Sequence, residues 1–352
     1  MPPRILSLHC AVPEHVYRQK DVYQDFFASH FKENPKAEEI FKNSRIQKRH
    51  AALDMNFYRR ERSIEERNRL YVDGAVRLGE EAIVSCLREI QAKPADLDDF
   101  IVVSCTGYSN PGIEILLAKR LGMRENIHRT AIGGMGCYAT FPGLARGCES
   151  LAARPEGRVL LLSVEICSAT FQKDSSTENV VASALFGDGA AALILGDGHS
   201  SGTHPSRRFP RLIDFETQTA YKTVDDMGFF ITSTGFAIHL SARVPVFIRQ
   251  NVAAVLERLM ARNGVEREDV TFWIIHPGGA KILDYVQEGM SLSDSEMRFS
   301  WEILSEFGNM SSPTVMFILD RVIGRGDQQP GDYGVMMGFG PGLTIESCLV
   351  RW

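Results

Sequence analysis

The run from Gly133 to Gly147, Gly-Gly-Met-Gly-Cys-Tyr-Ala-Thr-Phe-Pro-Gly-Leu-Ala-Arg-Gly, limits what this chain can become. It reads as a glycine-rich turn that delivers Cys137 to the first turn of a buried helix. From Cys137 onward the apolar positions Phe141, Leu144, Cys148 and Leu151 fall at helical spacing. Pro142 is compatible with the opening of a helix, where there is no backbone hydrogen bond to lose. Gly143 and Gly147 lie one turn apart, which predicts a close approach by another backbone. A thiol at a helix N-terminus feels the positive end of the macrodipole, so its pKa is predicted to fall. A lone cysteine in such a place is first of all a packing residue. The rest of the chain argues for more.

With 352 residues the chain can build two core-forming halves. A net charge of −5 gives no basic footprint for nucleic acid. No apolar run approaches the ~20 residues that span a bilayer. The opening Met-Pro-Pro-Arg-Ile-Leu-Ser-Leu is too short in apolar residues to read as a signal peptide. Seven cysteines are an odd count without metal-ligand spacing; they read as reduced thiols, hence a cytoplasmic protein with no metal. Cys10, Cys86, Cys148 and Cys348 read as packing residues.

The organisation repeats. Arg4–Val12 reads as a strand, and residues 20–50 as helical, becoming basic at Lys42, Arg45, Lys48, Arg49 and His50. That cluster is either a solvated helix face or an anion site for a phosphate-bearing ligand. An amphipathic helix over 71–91 leads through the turn Lys93–Asp96 to the apolar strand Phe100–Ser104 and the loop Cys105–Gly112. The Cys137 helix follows, then the strands Val159–Val164 and Leu185–Leu195 with a polar stretch at 171–184 between them. Continuous apolar strands between helices predict a buried sheet covered on both faces. Residues 196–210 read as an exposed linker, dividing the chain into halves 1–205 and 206–352.

In the second half a helix opened by Val244-Pro245 is closed by Asn263-Gly264. An acidic turn, Glu266–Asp269, precedes the strand Phe272–Ile275. Cys137 lies 41 residues after Asp96, and Asn309 lies 40 residues after Asp269. Ser312-Pro313 is a good N-cap and N1 pair for the helix Thr314–Val322. These matches predict a duplicated α/β architecture with Cys137 and Asn309 at equivalent points, each near the start of a core helix.

Three places combine a reactive side chain with a break in secondary structure: Cys137, His276 in His-Pro-Gly-Gly, and Asn309 in Phe-Gly-Asn-Met-Ser-Ser-Pro. A cysteine beside an imidazole forms a thiolate–imidazolium pair and becomes nucleophilic at neutral pH. An asparagine amide beside the same imidazole offers donors to an oxygen that gains negative charge. Together they suit thioester chemistry. Gly187-Asp-Gly189 reads as a turn into a strand rather than a phosphate loop, because no helix N-terminus follows. His239 reads as a satisfied core or interface histidine.

Gly-Met-Gly-Cys137, Leu185-Phe186-Gly-Asp-Gly-Ala, His276-Pro-Gly-Gly, Gly-Asn309-Met-Ser-Ser and Gly338-Phe-Gly-Pro-Gly-Leu-Thr344 together resemble the type III polyketide synthases, the chalcone and stilbene synthase family. The resemblance covers essentially the whole chain. It implies a thiolase fold of two αβαβα-related halves with buried central helices, a homodimer, and direct use of acyl-CoA starters and malonyl-CoA with no bound cofactor. By the same resemblance Cys137 carries the growing chain as a thioester. His276 keeps Cys137 ionised and, with Asn309, drives decarboxylation and stabilises the enolate. Phe186 matches the family's gate between CoA tunnel and cavity; its second gate position is Ile238 here, not an aromatic. Cys105, Cys167, Thr170, Phe229, Ile238 and Ser311 are implied to line the cavity. Phe229 stands where plant members favour glycine, which predicts a reduced cavity and a small product, or a cavity re-routed elsewhere. Lys42, Arg45 and Lys48 are implied for the CoA phosphates, and Asn110 stands where the family sends a residue into the partner subunit's cavity.

The leading expectation is therefore a condensing enzyme that makes a pyrone, resorcinol or phloroglucinol-type product. The rivals are a ketoacyl-carrier-protein synthase III, a thioester hydrolase or acyltransferase using the same Cys137, and a non-catalytic thiolase-fold partner subunit. Dependence on a carrier protein would mark the first, failure to release CO2 from malonyl-CoA the second. An intact Cys137, His276 and Asn309 set argues against the last.

Overall fold

The computed structural model describes residues 1–197, 207–233, 235–241 and 243–352; most of the expected linker at 196–210, including the 205/206 division, lies outside them. Nine strands form one sheet in the order Val270–Ile275, Tyr333–Gly340, Thr344–Arg351, Arg211–Thr219, Arg4–Ala11, Asp188–Gly196, Val159–Ile166, Asp99–Val103, His128–Ile132. The duplication is visible in the pairing. Asp99–Val103 runs parallel to Val159–Ile166, which is antiparallel to Asp188–Gly196, itself antiparallel to Arg4–Ala11. The second half repeats this: Val270–Ile275 is parallel to Tyr333–Gly340, then Thr344–Arg351 and Arg211–Thr219 follow antiparallel. The two sets meet where Arg4 faces Arg211, and only His128–Ile132 is extra.

Alternation along each strand sorts the layers. Ile101 and Val103 join Phe272, Ile274 and Met336 in a central core around the helices Thr140–Ala153 and Thr314–Arg325. Phe100 and Val102 point the other way, onto the long helix Ile64–Glu89. Trp273, Ile275 and Met337 point outward in the second half, onto Val244–Asn263 and Ala280–Met290. The sheet thus folds over its two central helices, giving the helix–sheet–helix–sheet–helix stack of the thiolase fold.

The Cys137 helix owes its depth to its small residues. A Cβ on Gly143 would lie 2.8 Å from Leu161 Cδ1, and one on Gly147 2.8 Å from Leu195 Cδ1. The close approach predicted at these glycines is made by strand side chains, not by another backbone. The helix predicted from residue 71 starts at Ile64: Ser63 and Glu66 form a reciprocal capping box ahead of the polar turn 65–69.

The stretch 20–50 is less regular than predicted. Short helices at Gln19–Val22 and Ala28–His30 flank a π-turn at Tyr23–Phe27, and another helix spans Ala37–Asn43. Lys48–Ala51 is a strand, because it finds His15–Arg18 to pair with. Tertiary pairing here overrides local preference.

Candidate active site

Gly136 adopts φ 71° and opens a tight 3-10 turn, Gly136–Tyr138, that precedes the Thr140–Ala153 helix. The Gly-Phe-Gly-Pro-Gly segment packs against this turn. A Cβ on Gly136 would sit 2.5 Å from Pro341 Cδ, and one on Gly340 3.3 Å from the Cys137 nitrogen. Asn309 and Ser311 arrive from the loop before the second central helix. Ser311 takes φ 61°, and its Oγ lies 3.4 Å from Cys137 Sγ. Asn309 Oδ1 lies 4.0 Å from the same sulfur and accepts the Ser311 N–H at 2.7 Å. Asn309 Nδ2 donates to the Gly278 carbonyl at 3.3 Å, tying it to the loop that carries His276. His276 is fully buried, its backbone held by the Met337 carbonyl at 2.8 Å. Neither of its ring nitrogens has a hydrogen-bond partner among the described residues.

The charge state differs from the sequence expectation. Burial pushes the Cys137 thiol up to about 11, against the hydrogen bonds of Ser311 and Asn309, and pushes the His276 imidazole down to about 3. In this dry setting both charged forms lose more hydration than one short turn's dipole returns. Both shifts run against the expected thiolate–imidazolium pair.

Three hollows meet here. A narrow cavity is lined by Cys137, Asn309, Gly278, Phe186, Ile238 and Phe339, among others. It shares Leu185, Leu240, Val244, Gly278 and Ile282 with a surface groove of about 1410 Å³. It shares Phe186 and Ile238 with an inner cavity, which also takes in Cys167, Thr170 and Phe229. Phe186 and Ile238 therefore stand between the thiol and the inner cavity, not on the groove. Cys105 lines a further hollow behind Phe229, beside Gly133–Gly136, with its Sγ 3.7 Å from Ser311 Oγ.

Lys42, Arg45 and Lys48 do not line the surface groove; Lys36 and Lys281 do. Lys36, Ile40 and Asn43 share one face of the Ala37–Asn43 helix, and Lys42 projects elsewhere. Arg45 pairs with Asp284 at 3.1 Å and lies over the Trp301 ring. His239 is half-exposed and pairs with Glu178 at 3.1 Å.

Sequence reasoning also passed over Glu165. Its fully buried carboxylate accepts hydrogen bonds from Ser104, Cys105, Thr106 and Ser312, the last at 2.6 Å. Burial raises its pKa while these bonds oppose the rise. The signal was a lone acid between Val164 and Ile166 in a strand that is otherwise apolar but for Ser163.

Comparison with known proteins matches this geometry. Residues 2–199 match the N-terminal domain family of chalcone and stilbene synthases, and residues 217–352 the C-terminal domain family. A 1,3,6,8-tetrahydroxynaphthalene synthase of Streptomyces peucetius subsp. caesius is 32% identical over 351 residues, covering 99% of this chain and 93% of that one. A 3,5-dihydroxyphenylacetyl-CoA synthase of Amycolatopsis balhimycina is 33% identical over 327 residues, covering 91% and 86%. The crystal structure of 1,3,6,8-tetrahydroxynaphthalene synthase from Streptomyces coelicolor A3(2) superposes with a TM-score of 0.92 at 28% identity, covering 99% of both chains. The chain belongs to the chalcone and stilbene synthase family. It is a type III polyketide synthase, a carbon–carbon bond-forming acyltransferase that acts on CoA thioesters. No helix among the described residues is long and apolar enough to cross a membrane.

Proposed function

We propose that the chain extends an acyl-CoA starter with malonyl-CoA on Cys137 and cyclises the product to a small pyrone, resorcinol or phloroglucinol-type ring. The Cys137 sulfur attacks the starter thioester, its proton passes to the His276 imidazole, and CoA leaves as the thiol. Because burial disfavours both charged forms, proton transfer accompanies attack rather than preceding it. Malonyl-CoA then loses CO2, and its thioester oxygen takes up the enolate charge. Asn309 Nδ2 and the His276 ring are the donors for that oxygen. The enolate carbon attacks the Cys137 thioester, and the sulfur is released to accept the lengthened chain.

The observation that carries this reading is the thiol in a cavity that abuts a surface groove, whose wall includes Lys36 and Lys281 beside Glu39 and Glu178. Lys281 opens the Ala280–Met290 helix at that groove, and Lys36 faces it, which suits the phosphates of CoA. Phe186, Ile238, Cys167, Thr170 and Phe229 then shape the space for the chain, with Cys105 and Ser311 beside the thiol. No separate cofactor or metal is needed for this chemistry. We place the enzyme in the cytoplasm, where CoA thioesters are made, and as a homodimer.

Purified protein incubated with malonyl-CoA and short, long and aromatic acyl-CoA starters, with products read by mass spectrometry, tests the reading. Extended products that vanish in Cys137→Ala are expected. Absence of CO2 release and of extended product with every starter would shift the reading to carrier-protein dependence.

A further inference from the structure

The helix Thr177–Leu185, which presents Phe186, leaves four carbonyls at its end, and distant segments take them up one by one. The Ser183 carbonyl accepts from Arg49 Nη1 at 2.6 Å, and the Ala184 carbonyl from Gln19 Nε2 at 2.7 Å. The Leu185 carbonyl accepts from the Asn309 N–H at 2.9 Å. The Phe186 carbonyl accepts from Arg49 Nη1 again, at 2.7 Å. Gly187 N–H donates to the Asn309 carbonyl at 3.0 Å, so Phe186 and Asn309 form a parallel bridge.

Arg49 sits where these strands of the network cross. A Cβ on Gly308 would lie 3.2 Å from both Arg49 Cγ and Cδ, so the arginine stem packs on the residue just before Asn309. Arg49 is only 8% exposed, and no carboxylate lies within ion-pair distance of it among the described residues. Burial pushes its pKa down to about 10, so it is still a cation at neutral pH. A buried guanidinium with carbonyls as partners is compensated by the negative end of the helix dipole. It lines the inner cavity but not the cavity that holds Cys137.

We infer that Arg49 is a positioning residue for chain elongation. It clamps Phe186, the partition to the inner cavity, and through the bridge it holds Asn309 beside the thiol. This rests on the polyketide reading above. Loss of Arg49 should disturb elongation more than loading, since its guanidinium holds the Phe186 backbone and its stem packs on Gly308, with no hydrogen bond to the Cys137 turn.

The test uses the full-length protein with hexanoyl-CoA or benzoyl-CoA and malonyl-CoA. Two quantities are read: the rate of Cys137 acylation by intact-protein mass spectrometry, and the ratio of multiply to singly extended products. In Arg49→Met the acylation rate should stay within about twofold while the product ratio shifts about tenfold. Arg49→Lys keeps the charge but not the planar fork, and should fall between. In a Phe186→Ala background the backbone bridge remains but the ring that Arg49 positions is gone, so Arg49→Met should shift the ratio by clearly less than the tenfold seen with Phe186 in place. Parallel loss of acylation and extension, an unchanged ratio, or an undiminished effect in the Phe186→Ala background would each overturn the inference. If Arg49→Met does not fold, Arg49→Lys decides, and a wild-type product ratio in it overturns the inference. Failure of wild-type Cys137 to take up any acyl group is a different result: it overturns the polyketide reading and this inference with it.

Discussion

At the Cys137 sulfur two fields compete. The amide dipoles of the Gly136–Tyr138 turn favour a thiolate, and loss of water disfavours it. Burial is the stronger: the thiol is 4% exposed and loss of water pushes its pKa up to about 11. The sign of the pH dependence follows. A raised thiol pKa keeps the neutral form through the physiological range, and the thiolate grows only as pH climbs toward 11. Iodoacetamide modification of Cys137, followed by peptide mass spectrometry, should therefore accelerate about tenfold per pH unit between about pH 7 and 10, with no neutral plateau. His276→Gln should leave that profile unchanged. A plateau near neutrality that the His276→Gln change abolishes would instead establish a preformed ion pair. At this scale the identities of Cys137, His276 and Asn309 were legible, because each sits at a break in secondary structure. Their charges were not, because desolvation is a property of what surrounds a residue in space.

Among the elements, the hairpin Met227–Thr232 and Gly235–Leu240 sets the shape of the site. Its register places Phe229 opposite Ile238. Phe229 lines both the inner cavity and the hollow beside Gly133–Gly136, so its ring divides them. Phe229→Gly should join the two spaces. The expected outcome is a kcat/KM for benzoyl-CoA that rises about tenfold while that for acetyl-CoA is little changed, measured by product formation at fixed malonyl-CoA. Equal values for mutant and wild type would mean the chain is routed away from this hairpin. The sequence marks Phe229 by its bulk. What the ring separates emerges only when the hairpin is laid against the turn at Gly133–Gly136.

For the whole molecule, the strand His128–Ile132 is one of the two edges of the nine-stranded sheet among the described residues, and four of its five residues are exposed. Long exposed edges are normally covered or charged. Next to it runs the loop Cys105–Gly112, with Tyr108 69% exposed and Asn110 outward. Edge and loop together are the face we propose for a homodimer. A lysine at the strand centre, Thr130→Lys, should shift the protein toward monomer in sedimentation-velocity measurements at micromolar concentration. Activity should fall with it if Asn110 contributes to the neighbouring cavity. A sedimentation profile identical to wild type would exclude this edge as the interface.

The sequence by itself determined the elements and their order: apolar period, capping residues and glycine breaks act within a few residues and can be read in line. It also determined the duplication, since Asp96 to Cys137 and Asp269 to Asn309 repeat almost one spacing. Tertiary structure decided what depends on partners far along the chain. Pairing of Lys48–Ala51 with His15–Arg18 turned Arg49 inward to the Phe186 carbonyl, while a helical face chose Lys36 over Lys42 for the groove. Packing also decided that Glu165 is surrounded by donors and that burial works against the charged forms of Cys137 and His276. Local rules fix where a side chain is mounted; direction, solvation and charge are fixed by what the fold brings against it.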